Sequence, residues 1–209
     1  MAAQFWTAPR IWDGDTCVII GGGPSLAAVT VDALSRFRCI AVNAAFRIAP
    51  FAEAMFFGDY GWFTQYSKGL ELFGGLKITN TDQALGRRAE VLDIKVMRRH
   101  NLSCGICPVR DTLTWNNNSG ATAINLAVHF GAKKIILVGF DMKRDGDRFN
   151  YHNEYARPDN VKTYNPYSRH MPAFPKIKAD LDKLGVTCVN ATAGSALEVF
   201  PRISLEEII

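Results

Sequence analysis

Seven short apolar runs, at residues 17–20, 39–42, 54–57, 76–79, 94–97, 135–139 and 186–189, recur along the chain with helical patterns between several of them. Runs of this length are strands, and strands that alternate with helices are joined by crossovers, which makes neighbouring strands parallel and covers both faces of the sheet. Helical patterns fall at 24–37; at 121–130, where Ile124, Ala127 and Val128 share a face and Gly131 stops the helix; and at 172–184, where Ile177, Leu181 and Leu184 share a face ahead of Gly185. No internal repeat or low-complexity linker interrupts the alternation. With 48% hydrophobic and 21% charged residues, 209 residues suffice for one sizeable core. The expectation is an α/β fold: a single Rossmann-like domain over 1–209 with a mainly parallel central sheet, helices on both faces, and a lid-like excursion near 143–170.

Polar or glycine residues stand at the carboxyl ends of five of these strands. Gly21-Gly22-Gly23-Pro24-Ser25-Leu26 comes after the first, Asn43 after the second, Gly58-Asp59 after the third, Asp141 after the sixth and Asn190 after the seventh. A parallel sheet sets these groups along one edge, and open α/β sheets bind ligands outside the carboxyl ends of their strands, where strand order reverses. Each residue alone also serves as a cap or turn former. The glycine-rich turn predicts an anion seat: glycines admit close approach, Pro24 suits a first helical turn, and free amides at a helix start favour a phosphate. Leu26 stands where the dinucleotide fingerprint needs its third glycine, and no Gly-Lys-Ser/Thr comes after it. Both the dehydrogenase and the P-loop ATPase patterns are therefore unmet.

Residues 143–169 carry Tyr151, His152, Tyr155, Arg157, Tyr164, Tyr167 and Arg169 with little apolar periodicity, too long a stretch for an idle connection. This suits a lid or an acceptor-binding excursion, with groups for acid/base work and anion binding. Asp145-Gly-Asp147 resembles a metal-binding D-x-D but has turn composition, and we read it as a turn. His129, inside a helix, reads as structural, whereas His170 stands at the end of the excursion before Pro172. Trp62, Phe63 and Tyr66 read as a packed loop anchor, with an oligomer interface as the other possibility.

The formal net charge of +4 is spread along the chain and does not indicate nucleic acid. No signal-peptide pattern or bilayer-length apolar stretch occurs, so a cytoplasmic protein without a membrane span is expected. Five cysteines suggest no disulfide framework; Cys17, Cys39 and Cys188 read as small hydrophobes, and Cys104-Gly-Ile-Cys107 offers too few ligands for a structural zinc.

The islands GGGPSL, Val42-Asn43, Asn118-Ser119-Gly120 and Gly131-Ala-Lys-Lys-Ile-Ile-Leu-Val-Gly-Phe-Asp141, with a late histidine before a helix, resemble the bacterial sialyltransferases of the Campylobacter type. They equally resemble the related 6-hydroxymethylpterin diphosphokinase-like domains, many carried by phages. The resemblance covers roughly residues 15–200 in motif order. It implies that Gly21, Gly22, Gly23, Pro24, Ser25, Asn43, Ser119 and Gly120 hold the nucleotide of a CMP-sugar-like donor, with Asp59 and Asp141 on the same edge. It also implies that His170 is the general base on an acceptor hydroxyl, with His152 as competitor, and that Tyr151 and Tyr155 stabilise the leaving phosphate. No cofactor or metal is required on this reading; the partners are a nucleotide or nucleotide sugar and a small-molecule or glycan acceptor. Two alternatives stay open: a magnesium-dependent diphosphate transfer from ATP to a pterin-like alcohol, with Asp59 and Asp141 as ligands, and a non-enzymatic nucleotide-binding protein.

Overall fold

A computed structural model of the chain describes residues 5–81, 83, 85–101, 105–155 and 164–209. Cys104 and Arg157 lie outside the described residues. The strands are β1 (Thr16–Ile20), β2 (Arg38–Val42), β3 (Ala54–Phe57), β4 (Leu76–Thr79), β5 (Ile94–Val96), β6 (Arg98–His100), β7 (Thr112–Thr114), β8 (Lys134–Val138) and β9 (Thr187–Asn190). The α-helices are α1 (Tyr60–Tyr66), α2 (Arg87–Val91), α3 (Ser119–Phe130), α4 (Tyr167–His170) and α5 (Phe174–Lys183). Seven strands form one sheet in the order β5-β4-β3-β2-β1-β8-β9, and every pairing is parallel. The fold is α/β and Rossmann-like, as the alternation of strands and helices implies.

Side chains alternate across the strands and build a core on each face. Cys17, Ile19, Ile40, Val42, Phe56, Ile135 and Leu137 meet α3 and α5 through Ile124, Ala127, Phe130, Ile177 and Leu181. Val18, Ile20, Ala41, Met55, Phe57, Ile136 and Val138 meet Leu26, Leu34, Phe46 and Trp62. Burying each large aliphatic or aromatic side chain contributes about 1.5–3 kcal/mol before conformational entropy is counted.

The predicted helix at 24–37 is two 3-10 segments, Pro24–Ala28 and Val31–Arg36. The run Val29-Thr30-Val31 is β-branched and stiff at χ1, which disfavours the helix interior, and Val29 is extended at ψ 130°. The helix at 172–184 starts earlier, because α4, a 3-10 turn at Met171–Ala173 and α5 succeed one another directly. Pro172 and Pro175 are accommodated at the starts of the last two, where a missing N–H costs nothing. Met97 ends β5 by bonding back to Thr79 O, and the chain peels away as β6 to pair with β7 in a separate parallel sheet. That small sheet carries the chain back to the carboxyl edge, where α3 begins. Among the described residues no helix is long and apolar enough to cross a membrane.

Candidate functional site

Strand order reverses between β1 and β8: from β1 the chain steps outward through β2 to β5, and then returns to the other flank of β1. A cleft of about 420 Å3 opens at that point, a size suited to a small molecule.

The first wall is the glycine turn. Gly21 N–H donates to Val138 O, Gly23 N–H to Gly139 O, and Ser25 gives both its N–H (3.0 Å) and its hydroxyl (2.8 Å) to the Asp141 carboxylate. The turn therefore does not offer the row of free amides that its sequence predicts. Its helix is a five-residue 3-10 segment, and the anion at its start is the protein's own Asp141, which is 6% exposed. Gly23 is glycine because a Cβ would lie 1.8 Å from Asp141 Oδ2. Pro24 and Ser25 do not line the cleft, whereas Gly21, Gly22, Gly23 and Asp141 do.

The second wall is the start of α3. Asn118 caps the helix, its Oδ1 accepting from Ala121 N at 2.9 Å. The amides of Ser119 and Gly120 bond to no described residue, and both residues line the cleft. These are the free donors of a true α-helix of 12 residues, the kind of helix start that suits an anion.

The third wall holds Asn43 and Asp59, after β2 and β3. Asn43 adopts a left-handed φ of 53°, and its Oδ1 is a buried acceptor with no hydrogen-bond partner. Asn117 (φ 52°) and Met142 (φ 49°) also line the cleft in left-handed conformations, which cost of order 1–3 kcal/mol for a side chain such as methionine. Backbone strain thus gathers around this opening. Asp59 is exposed to the cleft, yet surrounding protein raises its carboxyl while Arg99 and Arg169 pull it down.

The roof comes from 143–155 and 164–170. Tyr151 does not face the cleft: its N–H donates to Gly22 O and its hydroxyl to Ala44 O (2.8 Å), so it pins the excursion to the β2 side. Tyr155 lines the cleft and accepts from Trp62 Nε1 at 2.7 Å, with burial raising its phenol to about 12. His152 lies between the two tyrosine rings, at 4.7 and 4.3 Å. Its Nδ1 accepts from Glu154 N–H, so the neutral ring carries its proton on Nε2 and offers a donor there, not a base. His170 also lines the cleft, beside the Tyr167 ring. Tyr164, Tyr167 and Arg169 complete the roof and replace Tyr151 near His170. Their signal in the sequence is only a Tyr-rich stretch with no spacing to choose among its members.

Burial, helped by Arg169, pushes the His170 imidazole down to about 4 from its ordinary 6.5. Above pH 6.5 both folded and unfolded chains carry it neutral. Below that, the unfolded chain takes a proton that the fold refuses, so this group costs stability progressively until about pH 4. Denaturant unfolding of His170→Gln is therefore expected to show a smaller loss of stability than the wild type across that window. Parallel curves for the two proteins would refute the assignment.

The remaining polar residues have structural roles. Asn190 is fully buried and satisfied by Leu197 O and Thr192 N–H. His129 bonds Thr112 O within the core. Asp145 and Arg148 bond back to back around Gly146 and Asp147, a tight turn. Trp62 and Phe63 belong to α1 and pack on Phe57, so this run is core and not an exposed patch. Among the described residues no three His, Cys, Asp or Glu side chains gather as a metal site, and Asp141 already spends both oxygens on Ser25. No family model matches the chain, and no curated protein matches it.

Proposed function

We propose that the cleft binds a nucleotide-activated donor and that the protein is a transferase of the glycosyl, sialyltransferase-like kind. The observation that carries this is that two amides at the start of α3 and the buried Asn43 Oδ1, all without a partner among the described residues, belong to residues lining one cleft. The amides suit a phosphate and the acceptor suits a ribose hydroxyl. In the reaction, an acceptor hydroxyl attacks the donor's anomeric carbon. The new C–O bond forms as the bond to phosphate breaks, the nucleotide leaves with the electron pair, and the hydroxyl proton passes to the neutral His170 imidazole. Tyr164 and Tyr167, which line the cleft, are the phenols that donate to the departing phosphate on this reading. An imidazole near 4 is a weak base, which favours a second reading, nucleotide binding without transfer. The phosphate's own charge would raise it in the complex.

Calorimetric titration with cytidine, uridine and adenosine nucleotides and their sugar derivatives tests the binding, and release of the free nucleotide in the presence of acceptor alcohols separates the two readings. Asn43→Gly gives an effect of opposite sign in two measurements. Glycine accepts φ 53° without strain and removes the orphaned oxygen, so the melting temperature is expected to hold or rise while nucleotide affinity falls about tenfold. Unchanged affinity would remove Asn43 from the site, and no nucleotide binding to the wild type would end the proposal.

A further inference from the structure

We propose that Trp115 is the plate on which the nucleobase stacks, an inference that rests on the nucleotide reading of the cleft. Trp115 lies between the end of β7 and the Asn118 cap, half-buried, and lines the cleft. Its backbone is pinned: its N–H donates to His100 O at 3.1 Å, and its carbonyl accepts from Thr122 Oγ1 at 2.5 Å. The ring is held as firmly. A Cβ on Gly58 would fall 2.0 Å from Cζ3, so the indole rests against a bare Cα. The Arg99 guanidinium sits 4.2 Å from the ring centre and is itself tied to Asn80 O (2.8 Å) and Gly58 O.

The chain has four tryptophans, and the other three have aromatic partners: Trp6 and Trp12 meet Phe130, and Trp62 meets Phe46 and Phe57. Trp115 alone, among the described residues, has no ring against it. A rigid, cation-backed aromatic side chain lining a cleft, four residues before the helix turn that offers free amides, matches the two ends of a nucleoside 5′-monophosphate. Stacking is tolerant of base identity, because every base presents a π-face, so Trp115 supplies affinity and leaves base selection to polar neighbours.

Calorimetry with cytidine, uridine and adenosine monophosphates, and with inorganic pyrophosphate as a base-free probe, tests this. Trp115→Ala is expected to weaken all three nucleotides in parallel, by about 5- to 150-fold, and to leave pyrophosphate unchanged. Trp115→Phe keeps a smaller plate for the case in which alanine unfolds the protein; nucleotides are expected to quench the indole emission of the wild type, and this variant to retain most affinity while losing that quenching. Equal nucleotide affinity in wild type and Trp115→Ala, or an equal loss for pyrophosphate, overturns the stacking role while the nucleotide reading stands. A wild type that binds pyrophosphate but no nucleotide overturns both.

Discussion

Alanine at position 23 is expected to cost the fold about 3–5 kcal/mol, seen as a melting temperature lower by roughly 6–20 °C. Gly23 has an ordinary φ of −68°, so the reason is contact and not backbone freedom. The added Cβ would sit 1.8 Å from Asp141 Oδ2, 2.6 Å from Cγ and 2.8 Å from Gly139 O. Gly139 O cannot yield, because it accepts the Gly23 N–H itself at 2.9 Å. Asp141 must then swing away and surrender both bonds from Ser25, which leaves a buried carboxylate without its donors. Position 22 is the control. There a Cβ would meet only Asn150 Oδ1 at 3.6 Å, an ordinary contact, so Gly22→Ala should melt within about 2 °C of the wild type. A Gly23→Ala protein as stable as Gly22→Ala would mean that Asp141 does not hold the turn.

The sheet is legible in the sequence because its information is local. Short apolar runs bounded by glycine and polar residues locate all seven of its strands to within one residue at every end, and alternation with helices makes them parallel. β6 is illegible for the same reason: Arg98-Arg99-His100 has no apolar pattern, and it forms only because the chain leaves Met97 next to Thr79 and finds β7 alongside. The glycine turn is located by its residues but its amides are not, since a sequence shows that amides exist and not where they point. Leu26, which excludes the dinucleotide fingerprint, packs on Gly139: a Cβ there would lie 2.6 Å from Leu26 Cγ. The close helix-to-strand contact that the fingerprint obtains from its third glycine is made here by a glycine on the neighbouring strand end.

The site itself depends on pairings that no local rule reaches. Asp141 and Ser25 are 116 residues apart, and their contact occupies the donors of the first turn while those at the start of α3 stay free among the described residues. Of the fourteen residues given a site role from the sequence, eleven line one cleft, those after β1, β2, β3 and β8 because strand ends in a parallel sheet share an edge whatever their chemistry. Nothing local separates Tyr151 from Tyr164 and Tyr167 in the sequence; in the fold its bond to Ala44 O turns Tyr151 away from the cleft.

Asp141→Asn is expected to raise stability at neutral pH and to tighten anion binding by about 10- to 100-fold. Burial raises the Asp141 carboxyl above its ordinary 3.8, against the pull of Ser25, so the fold holds its proton more tightly than the unfolded chain does. Wild-type stability accordingly falls as pH rises through the window just above 3.8, and the asparagine variant lacks that loss. The amide keeps the geometry, its oxygen accepting from Ser25 N–H and its NH2 donating to the Ser25 hydroxyl. What disappears is a negative charge in the cleft wall; at about 6 Å and an effective dielectric near 20 such a charge opposes a phosphate by roughly 2–3 kcal/mol. Asp141→Ala separates charge from geometry, because it also removes the charge but strands both Ser25 donors and should melt below the wild type. Calorimetry with pyrophosphate, beside melting curves for the three proteins, gives the comparison. Affinity unchanged in Asp141→Asn would place the bound anion beyond reach of this carboxylate. Tightening would identify Asp141 as a residue that trades ligand affinity for a fixed glycine turn.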